Sequence, residues 1–541
     1  MEIANGTLLA WSGAASHDVS SGMTALFAML LVGLIVALAL EEKLHAKKSV
    51  IAGVFALVCL VLGSYFDILP FQQVVIGSYD LVDHGPVSGN YFEDEQHPTE
   101  PVEIAEEHRE TSNSDSNSVQ PGSDAGEHHA LHVDGHRVAM PVYIPAVDWG
   151  VIAIILGSSL FVDITSRSGL FTWIAIKVTK ASGGDPARLL ALYGVMTVVF
   201  SAVLNNVTAM IIVGSLTAVS LEKLERKDKL LGFLLVEGLL TNVGGLLTLI
   251  SSVPNIIVGT AAGISFVTFF IIASPYVVLT TIVTIWMGGK LFGVHRLADE
   301  RQRAEAAGLV AGFDENDGIE SRTFFWFGAA MLVLFILTIA TTSVLPVIRE
   351  LEMGFVALAF AGMMLIRYKA VADRFYKAID WDLLGFFMAL FVVINVMEHA
   401  KVLDRIGQVL AVVIDWNELP PRQTIGTTAI LISSAAFSSV TDNIPLAAML
   451  AKILTNLSTV QTSPLWWSVI FGANLGGNIT PIGSASTLVA VTIIHKHQLR
   501  LSFTAFVKAA VPYAAVQIVL ATGYVLLLTA LGVFDWLIGP T

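Results

Sequence analysis

Charge-free apolar runs recur along this chain and set its architecture. Residues 22–40 and 49–66 carry no charged side chain, and 189–221 and 453–494 are each longer than the roughly 20 residues one membrane-crossing helix needs. Such runs, separated by short polar segments, predict an all-α polytopic membrane protein of about 11–13 spans, some of them broken. The longest polar break inside the apolar body, 290–320, divides that body into two halves.

The halves resemble each other. The first contains "FSAVLNNVTAMI" (200–211) and then "LLTNVGGLLTLISSVPNIIVG" (239–259); the second contains "FSSVTDNIPLAAML" (437–450) and then "FGANLGGNITPIGSASTLV" (471–489). Asn206 and Asn242 are 36 residues apart, Asn443 and Asn474 are 31 apart, and order is kept. A weak internal repeat with Gly/Pro-interrupted apolar segments in matching positions points to a secondary transporter with its site where the repeats meet.

The 33 uncharged residues of 189–221 are too many for one span, so they predict a re-entrant hairpin with Asn205, Asn206 and Thr208 at its tip. By the same argument 423–451 is a second hairpin, with Asp442, Asn443 and Pro445 at its tip. Proline removes a donor and frees carbonyls to coordinate an ion. The partner segments carry Asn242-Val243-Gly244-Gly245 and Asn474-Leu475-Gly476-Gly477-Asn478, whose glycines let backbone approach a ligand. Asn255, Thr480 and Ser484 add oxygens where the helices restart. Free N–H groups at a helix start suit an anion, and unwound carbonyls and amide oxygens suit Na⁺. Small residues in membrane helices often serve close packing alone, but Asn beside Gly, twice and in one order, favours a site.

An ionisable residue at membrane depth costs roughly 2.5–3.5 kcal/mol, which makes each one a functional candidate. Asp442 is the only charge between Arg422 and Lys452 and is the leading carrier of a proton or cation. Glu237, alone between Leu230 and Gly289, is the reserve. Asp163 is read as a structural ion pair with Arg167; Asp380, Asp382, Glu398 and His399 as interfacial; His495 and His497 as helix-boundary residues.

Composition agrees with the membrane reading: 55% of residues are hydrophobic, 14% charged, and mean hydropathy is +0.72. The net charge of −14 is concentrated in 80–139, where 14 Asp/Glu face two Arg. That segment also holds seven of the 13 His, and its composition predicts a solvated tether that does not fold by itself. The single cysteine, Cys59, excludes disulfides and thiolate metal centres and is read as packing. Lys43, Lys47 and Lys48 follow the first apolar run and none precedes it, so the N-terminus and the acidic segment are expected outside the cytoplasm, in a cell inner (plasma) membrane. The expected division is 1–79 N-terminal helices, 80–140 acidic loop, 141–289 first repeat, 290–320 cytoplasmic linker and 321–541 second repeat. No P-loop, HExxH helix or G-x-S-x-G elbow occurs, so no enzyme activity is expected. Nor is a cofactor, a firm metal site or a nucleic-acid partner; the coupling ion is Na⁺ or H⁺.

The series Asn-Asn-Val-Thr, Thr-Asn-Val-Gly-Gly, Pro-Asn-Ile-Ile-Val, Asp-Asn-Ile-Pro and Gly-Ala-Asn-Leu-Gly-Gly-Asn resembles the ion transporter superfamily, over about residues 145–535. The likeness is greatest to the branch of the arsenite exporter ArsB, the NhaD-type antiporters and the melanosomal P protein, with the citrate carriers further off. It implies two inverted repeats, each with a hairpin and a broken helix, a scaffold and a moving transport domain, and a homodimer. Where that branch has Asp-Asn-Val-Thr, this chain has Asn205-Asn206; where it has Gly-Asp-Pro-Pro-Asn, this chain has Ser251-Ser252-Val253-Pro254-Asn255; Asn478-Ile479-Thr480-Pro481 replaces Asn-Gly-Thr. Two acids are thus absent. The expectation is alternating-access transport of a small inorganic ion, favouring Na⁺/H⁺ antiport because Asp442 can exchange a proton for Na⁺ and no Lys or Arg lies at the motifs. Transport of arsenite, another small anion or a carboxylate is the alternative, and a sensor or scaffold on a transporter body a further one.

Overall fold

The structure is a computed structural model that describes residues 19–69, 73–82, 102–104, 130–139, 141–316, 318–342, 345–369, 373, 376–377, 379–415, 422–441, 443–499 and 501–538. Asp442 lies outside the described residues, as does most of the acidic segment.

The chain forms two units, one from Asp67–Ala146 with the N-terminal residues, the other from Val19–Phe66 and Val147 onward. In the first, the expectation of an unfolded tether is corrected at its ends. Strands β1 (Gln73–Val82), β2 (Val102–Ile104) and β3 (Ala130–Ala139) form an antiparallel sheet in the order β1-β3-β2. The register runs from Gln73 opposite Ala139 to Val82 opposite Ala130. Val74, Val75, Ile76, Leu131, Val133 and Val138 are strand-formers, and their distance apart in sequence hid the pairing.

The second unit is all-α among its described residues. Its helices are α1 (Ser21–Ala39), α2 (Lys48–Tyr65), α3 (Trp149–Ser166), α4 (Leu170–Ser182), α5 (Pro186–Val203), α6 (Asn206–Lys223), α7 (Leu230–Gly244), α8 (Val253–Ala261) and α9 (Phe266–Leu291). They continue with α10 (Arg322–Ala340), α11 (Pro346–Arg367), α12 (Trp381–His399), α13 (Val402–Asp415), α14 (Arg422–Ser438), α15 (Asn443–Asn456), α16 (Pro464–Gly476), α17 (Ala485–Lys496) and α18 (Phe503–Ala530).

Eight helices among the described residues are long and apolar enough to cross a membrane: α1, α2, α3, α5, α9, α10, α12 and α18. This is fewer than the expected number, and the reason lies in the motif segments. There α7, α8, α16 and α17 have 15, 9, 13 and 12 residues, and at 1.5 Å per residue even the longest reaches about 22 Å of a roughly 30 Å hydrocarbon core. The helix breaks fall where the motifs predicted them, at Leu204-Asn205, at 245–252, before Asn443 and at 477–484. The arms of the first hairpin are longer than expected, 18 residues each.

Local chemistry sets these ends. Asp185 accepts the Arg188 N–H at 2.9 Å with Pro186 at the first helical position of α5. Asn205 caps α6 by accepting the Thr208 N–H at 2.8 Å. Ser463 and Ser502 cap α16 and α18. The charged positions at helix ends behave as read: Asp163 pairs with Arg167 at 3.0 Å, Asp380 caps α12, and His495 Nε2 meets the Leu501 carbonyl at 3.0 Å. Asp382 stands in the first turn of α12, at the end of a span, and has a further role. It is a part-buried cross-link that accepts the backbone N–H of Ser49 at 3.2 Å and the Ser49 hydroxyl, tying α12 to the start of α2. Glu398 pairs with Lys452 at 3.1 Å, joining α12 to α15. In the linker, Lys177 and Lys180 of α4 both bind Glu315, and their hydrogen bonds hold its carboxyl down at about 2. Cys59 is buried and free.

The centre of this unit is α7 and α16, apolar on every side and buried on almost every side. After each break the chain crosses over. The short helix α8 packs on α15 and α16 of the second half, and α17 packs on α6 and α7 of the first.

Candidate functional site

The crossing brings the predicted amides together. Asn242, Asn255, Asn474 and Asn478 are all fully buried, and each bonds to another of the four. Asn242 Nδ2 donates to Asn478 Oδ1 at 2.8 Å and to Ser484 Oγ at 2.9 Å. Its Oδ1 accepts from Ser486 Oγ at 3.0 Å and Asn206 Nδ2 at 3.3 Å. On the other side, Asn474 Nδ2 donates to Asn255 Oδ1 and to the Ile470 carbonyl, both at 2.8 Å, while Ser252 Oγ donates to Asn474 Oδ1 at 2.7 Å. Ser252 and Ser484 are the N-cap residues of α8 and α17. The Asn of each broken helix therefore holds the helix start of the other half.

Further bonds recur in pairs. Ser201 Oγ lies 2.6 Å from the Thr241 carbonyl oxygen and Ser438 Oγ 2.5 Å from that of Ala473. Thr248 Oγ1 donates to the Ala202 carbonyl at 2.6 Å and Thr480 Oγ1 to the Ser439 carbonyl at 2.5 Å. Partners in the two halves stand 237 residues apart on the hairpins and 232 on the broken helices. The glycines obey the same pairing. A Cβ on Gly244 would meet Val198 Cα and O at 2.7 Å, and one on Gly476 would meet the Ala435 oxygen at 2.2 Å. At Gly245 it would meet Asn206 Oδ1 at 2.8 Å, and at Gly477 the Gly483 oxygen and Ser484 Cβ at 3.0 Å. Gly244, Gly245 and Gly476 thus let a hairpin segment lie against a broken helix, while Gly477 lets the chain after the break fold back on itself.

Capacity for a ligand follows from counting donors and lone pairs. Asn242 uses both donors and accepts twice. Asn255 spends both donors, on the Gly245 carbonyl at 2.6 Å and the Thr248 carbonyl at 3.0 Å. Asn478 spends both, on the Leu239 carbonyl at 3.1 Å and Gln517 Oε1 at 2.8 Å. The donors of these four amides are therefore consumed, while Asn255 Oδ1, Asn474 Oδ1 and Asn478 Oδ1 each accept one hydrogen bond and keep a lone pair. No Lys or Arg is bonded into this network among the described residues.

Not every predicted residue joins it. Asn205 is exposed and used as a cap, Thr208 is half-buried in the first turn of α6, and Asn443 is buried at the start of α15. Six participants were not predicted as site residues from sequence: Ser201, Ser252, Ser486, Thr487, Gln517 and Thr284. Gln517 is buried on α18, and its Nε2 donates to Thr284 Oγ1 of α9 at 3.0 Å. It is the one amide in an apolar helix that opens, like α9, with an internal Pro-Tyr pair, Pro512-Tyr513 beside Pro275-Tyr276. That repeat was the available signal. Gln517→Leu strands an Asn478 donor, so thermal unfolding in detergent is expected to show a loss of about 1–3 kcal/mol; an unchanged midpoint would exclude Gln517 from the network.

The sequence model of the citrate transporter family CitMHS matches residues 130–472, more than half of the chain. The chain belongs to the CitMHS citrate transporter family. It is 29% identical over 389 residues to an uncharacterized transporter of Mycobacterium tuberculosis, covering 70% of this chain and 86% of that one. It is 26% identical over 473 residues to the human P protein, covering 73% of this chain but only 55% of that protein. The resemblance to the ion transporter superfamily and P protein is borne out. In fold it is similar to the Alcanivorax borkumensis YdaH transporter, with a TM-score of 0.53 at 14% identity over 74% of this chain and 89% of that one. The Neisseria gonorrhoeae efflux pump MtrF gives a TM-score of 0.50 at 11% identity over 89% and 94% of the two chains. The chain is a multi-pass membrane protein and a secondary transporter of this family.

Proposed function

We propose that this transporter exchanges Na⁺ for H⁺ by alternating access, with the two halves acting as inverted repeats and the crossed broken helices as the ion site. The observation that carries the reading is the donor and acceptor balance: the four crossed asparagines have spent their N–H groups, three of them keep an oxygen lone pair, and no Lys or Arg is bonded to them among the described residues, which suits a small cation better than an anion. Asp442 is the coupling carboxylate at the second hairpin tip and Glu237 the reserve. In this reading the protein works in the cell inner membrane as a homodimer. Addition of Na⁺ or Li⁺ to proteoliposomes should release the quench of an acid-loaded pH probe; no response to either ion would overturn the antiport reading.

The family description favours a second reading, proton- or cation-coupled citrate uptake, in which helix-start N–H groups at α8 and α17 meet carboxylate. Saturable citrate uptake with no Na⁺-dependent proton release would favour it. The acidic segment is accessory in either case, so a variant lacking residues 84–136 should keep wild-type transport within a factor of about two, well under the tenfold that 1.4 kcal/mol represents. Loss of transport in that variant would instead favour a sensor or receptor role for the segment.

A further inference from the structure

Glu237 is a carboxyl that the ion site does not use. It sits midway along α7, seven residues after Leu230 and five before Asn242, and is fully buried. Its Oε1 accepts a hydrogen bond from Thr217 Oγ1 of α6 at 2.6 Å, while its Oε2 has no hydrogen-bond partner among the described residues. The surroundings are hydrocarbon. A Cβ placed on Gly214, one turn before Thr217, would touch Ile493, Met210 and Leu234; one on Gly238, the next residue of α7, would touch Ala490.

A buried carboxyl with one neutral hydroxyl and no counter-cation cannot hold a metal ion, which needs several oxygen ligands. A proton needs no such shell, and it removes the charge that burial penalises. A bonded set of hydroxyls begins one turn away, with no hydrogen bond to Thr217 Oγ1 among the described residues. One turn beyond Thr217 on α6, Ser220 Oγ lies 2.8 Å from Tyr193 Oη of α5, and Tyr193 Oη lies 2.5 Å from Thr179 Oγ1 near the end of α4. All of them are buried. The row runs towards the end of the bundle that carries Lys180, Lys223 and Lys227–Lys229. The other ionisable groups on elements packed against α7 stand elsewhere: Glu222 and Lys223, Asp228, Lys290, and His495 with Lys496 at helix ends or in the loop, Arg188 exposed in the first turn of α5, Lys508 exposed on α18, Tyr276 and Tyr513 buried on α9 and α18, and Tyr524 half-buried further along α18.

We propose that Glu237 is a proton-carrying site, separate from the cation site at the crossed helices and reached through the hydroxyls of Thr217, Ser220, Tyr193 and Thr179. The proton is taken up and released at Oε2, while Thr217 keeps Oε1 oriented in both states. In the transport cycle this deepens the reading of the chain as a proton-coupled carrier, but the protonation itself can be observed without transport.

Infrared difference spectra of the full-length protein in liposomes, between acid and alkaline buffer, should show a carboxylic-acid C=O band that disappears on alkalinisation. Glu237→Gln should abolish it, and Thr217→Val, which removes one hydrogen bond and keeps the shape, should move it to higher frequency. Tyr193→Phe should keep the band and slow Na⁺-dependent proton movement several-fold. Spectra of Glu237→Gln and Thr217→Val that both match wild type would overturn the proposal even if transport is normal. If Glu237→Gln does not fold, the Thr217→Val shift decides alone. Should wild-type protein move no protons with Na⁺, Li⁺ or citrate, the transport reading fails while the band still decides the role of Glu237.

Discussion

Asp442→Asn is expected to abolish Na⁺-driven proton movement in proteoliposomes while the protein stays folded. Asp442 is the only formal charge between Arg422 and Lys452, and the matching position in the first half, Asn205, is neutral. The crossed amides offer a cation only neutral oxygens. A carboxylate about 4 Å from a monovalent cation contributes about 4 kcal/mol at an effective dielectric of 20, which is about three powers of ten in affinity. Asparagine keeps the size of the side chain and an oxygen that can accept a hydrogen bond, so the fold is expected to be retained. Thermal unfolding and gel filtration of the variant report folding, and the quench assay reports coupling. Wild-type turnover by Asp442→Asn would remove this residue from the coupling step.

Gly476→Ala is expected to destabilise the protein strongly, and Gly244→Ala less so. The added carbon at 476 would stand 2.2 Å from the Ala435 carbonyl oxygen and 2.7 Å from Ser438 Cβ. The obstacle is backbone of α14, which cannot rotate away as a side chain can, so the two helices must separate. Overpacking of this kind costs about 1–3 kcal/mol, occasionally more. Separation also lengthens the Ser438–Ala473 bond of 2.5 Å beside the site. Gly523→Ala on α18, where an added Cβ meets nothing within 4 Å, is the control and should be neutral or stabilising. Equal stability of the Gly476 and Gly523 variants would mean that α14 and α16 do not pack as closely as described.

The legible part of this protein was its punctuation. Asn205, Asp442 and the two glycine pairs mark helix breaks because Asn or Asp beside Asn, Gly or Pro in a charge-free run supplies the polar, permissive backbone that a break needs. The repeat in the sequence also anticipated the paired serines, since "FSAV" and "FSSV" align Ser201 with Ser438. What did not show was which half each amide would meet. Asn242 bonds Ser484 and Asn474 bonds Ser252, contacts more than 200 residues apart that leave no local pattern. Gln517 was overlooked because one amide in an apolar helix has no periodicity. Asn205 was read as a ligand, yet its side chain serves as a cap, a role that Asn fills at many helix starts. The strands at 73–82 and 130–139 leave little signal in the sequence because a long acidic stretch separates the two partners.

The most direct test of the account is accumulation of radiosodium by proteoliposomes carrying an imposed pH gradient, acid inside. Wild-type protein is predicted to concentrate Na⁺ above the bath until the gradient collapses, and Asp442→Asn to leave Na⁺ at equilibrium with it. Equilibration without accumulation in the wild type, or accumulation of citrate with Na⁺ unmoved, would contradict Na⁺/H⁺ exchange at the crossed helices.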